Sequence, residues 1–337
     1  MTRITSTGAA AMSVALMAAA LPMSAAYAAE RAASAKTEDA YPSRPIRLVV
    51  PFPPGGGTDT VSRTLQPALQ QRLGQQIIID NRGSAQGITG TNIAATAVPD
   101  GYTLVIAEIG ATALAPALTP NVTFDVVRDF APITKLIEQP YILSVHPSVP
   151  AKTLGDFIKL AQAKPGGYNY GSGNVTSHVM QEVFYRTAKA TLTHIPYKGS
   201  GPSVAALVQN EVQTLFSGPG AAIPQIKANR IRGLAVTTIK RSRELPDLPT
   251  IDESGYKGFE VAGWYGVMAP AKTPRPIIDR LNQDFVAVLT TGDTPKQLMN
   301  RGYDPAPMTP EAFAKYLQSE VARWSKAVKQ YGIKSIE

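Results

Sequence analysis

Along most of the chain, short continuous apolar runs alternate with stretches in which apolar residues recur every three or four positions. The runs are strand-length: Ile46 to Phe52, Gln76 to Asp80, Thr103 to Glu108, Tyr141 to His146, Tyr168 to Gly171, Thr191 to Pro196, Val212 to Ser217 and Ile231 to Thr237. A run with little polar alternation reads as a strand covered on both faces. Helical patterns lie between them at residues 60–73, 154–163, 178–188, 202–209 and 220–228. Two more helices are marked by Thr-Pro starts. Thr273-Pro274 precedes Ile278, Leu281, Phe285 and Leu289, and Thr309-Pro310 precedes Phe313, Leu317, Val321, Trp324 and Val328. A threonine cap with proline in the first turn opens a helix, and stripes at this spacing read as core packing. Pro67, inside the first helical pattern, should cost or kink a turn.

Strand then helix, repeated, predicts an α/β protein whose sheets are mostly parallel and flanked by helices. Strands from 46 to 108 form one sheet and those from 168 to 237 another, with 125–146 and 237–265 carrying the chain out and back. The expected organisation is a first lobe from 41–137, a second from 138–262, and a return to the first lobe at 263–337. Two connecting segments then leave a cleft that a hinge can close.

The first residues read differently. Arg3 opens a basic start, Gly8 to Leu21 is apolar and alanine-rich, and Ala26-Tyr27-Ala28 places small residues where a signal peptidase reads them. Residues 1–28 are therefore expected to be a signal peptide cleaved near Ala28, and 29–40 (AERAASAKTEDA) a flexible leader. The apolar run is shorter than the roughly 20 residues a bilayer requires. The expected product is an exported, soluble protein.

With 44% hydrophobic and 17% charged residues, the 337-residue chain has enough apolar side chain for packed cores. It lacks cysteine, which excludes disulfides, thiol nucleophiles and thiolate metal sites. The net charge is +8. Its lysines and arginines are scattered, with no basic run interleaved with aromatics, so small anions or envelope surfaces are better partners than nucleic acid. A cationic surface with no specific role is the plainer reading.

Candidate chemistry sits at strand ends, where ligands collect in open α/β sheets. PFPPGGGTD (51–59) joins an apolar strand to an amphipathic helix. Gly55 and Gly56 let backbone approach a ligand, Thr58 or Asp59 can cap the helix, and Phe52 and Pro54 frame the turn; free N–H groups at a helix start suit a carboxylate or phosphate. The plainer reading is a tight turn that glycine permits. YGSGNVTSH (170–178) repeats the arrangement with Ser172, Thr176 and Ser177. His178 would sit in a first helical turn, where the dipole favours neutral imidazole. IPYKGSGPS (195–203) brings Tyr197, Lys198 and Gly199, and LFSGPG (215–220) brings Ser217.

Nucleotide motifs fail here: Thr58-Asp59 follows the glycines where a P-loop needs lysine, and Thr60 stands where a dinucleotide fingerprint needs its last glycine. There is no Gly-x-Ser-x-Gly elbow and no His-Glu-x-x-His, and His146, His178 and His194 lie in separate elements. No catalytic residue, metal ligand or cofactor is expected. An exported hydrolase with a serine site assembled only in space is the alternative.

The stretches YPSRPIRLVVPFPPGGGTD, LGQQIIIDNRG, PDGYTLVIAE, DFAPITKL, NYGSGNVTSH, HIPYKGSGPS, IRGLAVTTIKRSRELPDLPTIDESG and the WYG at Trp264 to Gly266, in this order, resemble the Bug receptors of the tripartite tricarboxylate transporter substrate-binding family. The resemblance covers nearly the whole chain beyond the leader. It implies a periplasmic binding protein of the type II, Venus-flytrap kind, closing on a small organic anion for a membrane permease or a sensor. Family members hold one carboxylate largely through backbone N–H groups and water between the first strand-helix loop and the second lobe, which here correspond to PFPPGGGTD, YGSGNVTSH and PYKGSG. Two departures bear on the ligand. Asn81-Arg82-Gly83-Ser84-Ala85-Gln86 stands where many relatives have Asn-Arg-Pro-Gly-Ala. Phe216 leads into Ser217-Gly218-Pro219 where relatives often carry Asp or Asn. Without an acid there, an ammonium group has less to pair with, and a dicarboxylate or aromatic carboxylate is favoured over an amino acid.

Overall fold

β1 (Ile46–Val50) ends where Pro51 removes a donor from the ladder. In this computed structural model, which describes residues 41–84, 86–119 and 122–333, β1 pairs in parallel with β2 (Ile77–Asn81) and β3 (Thr103–Glu108). α1 (Gly57–Leu73) links β1 to β2 and buries Val61, Leu65, Leu69 and Leu73. The helix starts three residues earlier than its apolar pattern and runs through exposed Pro67. α2 (Ile88–Ala95) leads to β3, after which a π-helical turn at Gly110–Leu114 passes into α3 (Ala115–Leu118).

A six-stranded sheet forms in the order β11-β4-β10-β3-β1-β2, with β4 (Phe130–Pro140), β10 (Ala262–Pro270) and β11 (Asp304–Pro305). A second, five-stranded sheet has the order β7-β6-β8-β5-β9, built from β5 (Ile142–Val145), β6 (Asn169–Ser172), β7 (Thr193–Pro196), β8 (Thr214–Ser217) and β9 (Arg232–Val236). Around it lie α4 (Leu154–Ala163), α5 (Val175–Thr187), α6 (Ser200–Val208) and α7 (Pro219–Lys227). α8 (Arg275–Thr290), α9 (Thr294–Met299) and α10 (Pro310–Tyr331) follow β10.

The expectation of mostly parallel sheets holds only where strand, helix and strand follow one another. β1 with β2 and β3, and β6 with β7 and β8, are parallel, whereas β10 with β3 and β4, β11 with β4, and β5 with β8 and β9 are antiparallel. Parallel neighbours need a crossover on one sheet. β4 and β10 instead carry the chain towards and away from the second sheet, so they oppose each other. The segment 125–146, read as a connector, is thus largely strand, whereas 237–265 becomes strand only from Ala262.

The two passes meet at one point. Ala262 is opposite Pro140. Just beyond, the Thr237 hydroxyl accepts from the Tyr141 N–H (2.9 Å) and donates to the Val261 carbonyl, while the Thr237 N–H donates to the Tyr141 carbonyl (3.0 Å). Thr237 is fully buried.

α10 closes the first sheet. Its threonine cap is present, Thr309 accepting from the Ala312 N–H (3.2 Å), and Phe313, Leu317, Trp324 and Val328 are buried, as the stripe predicts. The Phe313 ring packs edge-on to Trp264 of β10 at 5.9 Å. Glu320 is buried and accepts from the indole N–H of both Trp264 (3.0 Å) and Trp324 (3.1 Å).

No helix among the described residues is long and apolar enough to cross a membrane. The expected signal peptide (1–28) and leader (29–40) lie outside the described residues.

Candidate functional site

A cavity of about 740 Å³ opens where strand ends of both sheets face each other. Gly55, Gly56, Gly57 and Thr60, at the start of α1, line it from the first sheet. Asn174 before α5, Ser200 and Gly201 of α6, and Gly218 to Ala221 at the start of α7 line it from the second. The chain leaves β1, β6, β7 and β8 at their carboxyl ends to reach these positions, the usual place for a ligand in such sheets.

Four helix N-termini therefore meet the cavity, and they differ in one respect. α5 has a complete capping box, the Asn174 side chain accepting from the Ser177 N–H (2.8 Å). α1, α6 and α7 start at Gly56, Gly199 and Gly218 without any side-chain cap. First-turn N–H groups have no intrahelical acceptor, so three uncapped ends offer donors and positive dipole ends to whatever occupies the cavity.

The glycines of the first loop have distinct reasons. Gly55 has φ +83°, a conformation L side chains rarely adopt. At Gly57 a Cβ would overlap the Tyr265 hydroxyl and lie 3.2 Å from that of Tyr303. Both tyrosines are buried and both line the cavity. Tyr265 Oη accepts from Gln139 Nε2 (3.0 Å), which leaves its own proton to donate. The other Gln139 amide atom, Oε1, is buried without a partner among the described residues.

Asp59 does not oppose an anion here. Burial alone would push its carboxyl up, but Arg63, the Gly55 N–H and Asn81 outweigh burial and hold it below the usual value. Its oxygens accept from Gly55 (2.9 Å) and pair with Arg63 (3.0 Å). No aspartate or glutamate lines the cavity, and Arg230 and Arg301 do.

Of the residues singled out from sequence, Gly55 and Gly56 line the cavity. Thr58, Asp59, Gly199 and Ser217 are next to lining residues without lining it themselves; Ser217 Oγ is buried without a partner. Phe52 accepts from Asn81 through its carbonyl, and Pro54 is exposed. Tyr197 Oη donates to Glu211 (3.3 Å), and Lys198 is exposed, outside the lining. Ser177 completes the α5 cap, and Thr176 donates to buried Glu108 (3.3 Å). Sequence reasoning missed Gly57, Gln139, Tyr141, Asn174, Tyr265, Tyr303 and both arginines. Gly57 and Asn174 stand inside the loops PFPPGGGTD and YGSGNVTSH, and Tyr265 inside WYG; Gln139, Tyr141, Tyr303 and the arginines carry no local signal.

His178 and Ser172 belong to a cluster behind the loop. Ser172 Oγ and His194 Nε2 are 2.6 Å apart, the His178 and His194 ring centroids lie 4.1 Å apart with the planes tilted by 32°, and Tyr170 Oη bonds Glu182 (2.6 Å) and approaches His178 Nδ1 (3.2 Å). This is a serine-histidine pair in space, yet Ser172 is 1% exposed, Glu182 is bonded to Tyr170 and Arg186 rather than to His194, and neither Ser172 nor His194 lines the cavity.

Burial and the neighbouring His178 push His194 down to about 4 from 6.5, with Glu182 acting in the opposite direction. A folded value below the unfolded one stabilises the fold above pH 6.5, and this contribution is lost as pH falls towards 4. Thermal unfolding followed by circular dichroism should lose about 1–2 kcal/mol over this window, after allowance for partial solvent screening. His194→Asn should flatten the loss; parallel pH profiles for the two proteins would exclude the imidazole pair as its source.

The described residues contain no group of three or more histidines and carboxylates positioned for a metal ion. Two helix-flanked sheets joined by a double crossing, with helix starts around the cavity between them, define a solute-binding protein of the periplasmic type. Residues 61–333 match the tripartite tricarboxylate transporter family receptors, and the chain belongs to that family. Its members and structural neighbours are solute-binding receptors rather than enzymes. The protein BugT of Bordetella pertussis is 33% identical over 88% of this chain and 92% of its own. Among solved structures, an R. palustris protein with adipate superposes with TM-score 0.84 at 34% identity, covering 88% of this chain and 100% of that one. MatC from Rhodopseudomonas palustris with bound malate superposes with TM-score 0.78 at 31% identity, covering 86% and 100%.

Proposed function

We propose that this receptor captures a small organic carboxylate in the cavity between the sheets and delivers it, as a monomer, to the permease subunits of a tripartite tricarboxylate transporter or to a sensor. One carboxylate rests on first-turn amides of α1 and α7 beside the Tyr265 and Tyr303 hydroxyls. Residues 41–137 with 263–337 move as one lobe and 138–262 as the other, closing about the paired crossing. The observation that carries this reading is the lining itself: uncapped helix starts, tyrosine hydroxyls and two arginines, with no Asp or Glu. Such a surface favours an anion and sets no carboxylate opposite an ammonium group. A dicarboxylate or aromatic carboxylate is therefore favoured over an amino acid. The adipate and malate held by the two R. palustris relatives fit the same chemistry. Residues 1–28 are proposed as the export signal, to be checked by the intact mass of protein recovered from the periplasm.

Calorimetry and thermal unfolding against a panel of organic acids test the reading. An acid present at 100 times its dissociation constant should stabilise the fold by about 2.7 kcal/mol and be recovered unchanged. Gly56→Val, which places bulk at the lining, should weaken binding greatly while the protein stays folded; a Cβ at this position meets only the Pro53 carbonyl, at 3.7 Å. Lys198→Ala should change affinity less than twofold, because an exposed ammonium outside the lining is screened by water. Unchanged affinity in Gly56→Val would remove the first loop from the site.

A further inference from the structure

Fifteen arginines lie among the described residues, and twelve of them pair with a carboxylate. Of the remaining three, Arg232 donates to the carbonyls of Val149 and Ala151. Arg230 and Arg301 are the two that are left, and both line the cavity. Among the described residues, guanidinium groups are neutralised almost everywhere except at this opening.

Their placement has direction. α6 and α7 begin at the amide seat and run away from it, and the cavity follows α6 from Ser200 to Gln209, about 13 Å at 1.5 Å per residue. Along that path Val204, Ala205, Val208, Ile223 and Pro224 supply an apolar wall. Arg230 stands beyond the carboxyl end of α7. Arg301 comes from the other side, between α9 and β11, and is anchored by donation from Nη1 to Thr64 Oγ1 (2.8 Å) one turn beyond Thr60 of α1. A planar guanidinium fixed at one nitrogen keeps further N–H groups for a planar anion.

We propose that Arg230 and Arg301 form a second anion subsite, so that the ligand is a dianion: one carboxylate at the glycine and tyrosine seat, an apolar body along α6 and α7, and a second carboxylate clamped between arginines from the two halves. The inference rests on the carboxylate reading above and narrows it. It makes the arginines the residues that separate diacids from monoacids, while the seat serves both.

The test measures calorimetric affinities for matched pairs, butyrate with succinate, hexanoate with adipate, octanoate with suberate and benzoate with terephthalate, in wild type, Arg230→Gln, Arg301→Gln and the double variant. At least one diacid should exceed its matched monoacid by about tenfold, the scale of charge-assisted hydrogen bonding after discount for exposure. That ratio should fall towards one in the double variant and weaken with added salt in wild type. Equal affinities for diacid and monoacid in wild type, or a ratio that survives in the double variant, overturns the subsite but leaves the seat. Binding of none of the eight acids to wild type overturns the carboxylate reading, and this inference with it. Unfolding midpoints of the variants show that the ratio is measured on folded protein.

Discussion

Gly57→Val is expected to lower affinity for the best organic acid more than 100-fold, roughly the consequence of losing two charge-assisted hydrogen bonds. The Cβ would occupy the space of the Tyr265 hydroxyl, with Tyr303 Oη 3.2 Å away. Withdrawal of either ring has a cost: Tyr303 is 1% exposed, and Tyr265 is held by Gln139. Either the first turn of α1 moves off the seat or Tyr265 leaves Gln139 without its acceptor. Calorimetry reads the loss. Since overpacking of this kind also costs about 1–3 kcal/mol of stability, Tyr265→Phe is the companion variant. It removes only the hydroxyl and should reduce affinity about tenfold on an intact fold. Near wild-type affinity in both variants would place the carboxylate elsewhere.

The second large effect concerns stability alone. Glu320→Ala should cost about 3–5 kcal/mol, because one buried carboxylate satisfies the indole donors of both Trp264 and Trp324 and its removal strands them. For a chain of this size that corresponds to a fall of roughly 5–8 °C in unfolding midpoint. Glu320→Gln retains a carbonyl acceptor and should lose about half as much. Circular dichroism melts of the three proteins decide it, and a midpoint within about 2 °C of wild type in the alanine variant would show that the indoles find other partners.

How much of this is legible in the sequence depends on whether a residue's role is local. The short buried strands were, since IRLVV or TLVIAE has no other way to hide its side chains. So was α10, whose cap and stripe occupy one segment. β4 and β10 were not. FAPITKLIEQP and AGWYGVMAP are broken by proline, glycine and charge, and they become strands because each supplies the other's hydrogen-bond partners across more than a hundred residues. Their charged and polar members are accommodated one by one; buried Lys135, for example, pairs with Glu138 and lies under the Tyr316 ring.

The site divides in the same way. The glycines of 55–57 announce a close approach without saying to what. Tyr265 and Tyr303, which explain Gly57, arrive from β10 and from the segment before β11, more than two hundred residues away. His178 illustrates the converse. Its place in a polar loop looked ligand-facing, yet α5 turns the ring inward onto His194 and Tyr170. A cap and a ligand contact use the same residue types, and only the packing of the next strand chooses between them.

Thr237 bridges the outgoing and returning backbone just beyond the end of the β4–β10 ladder. With its hydroxyl and backbone bonded to Tyr141 on one pass and to Val261 on the other, next to the β4–β10 ladder, Thr237 makes the two passes one tied crossing and not a pair of independent straps. In the two-lobe closure proposed above, passes tied in this way would turn together, and the bulk of the captured molecule, not chain slack, would set how far the lobes close.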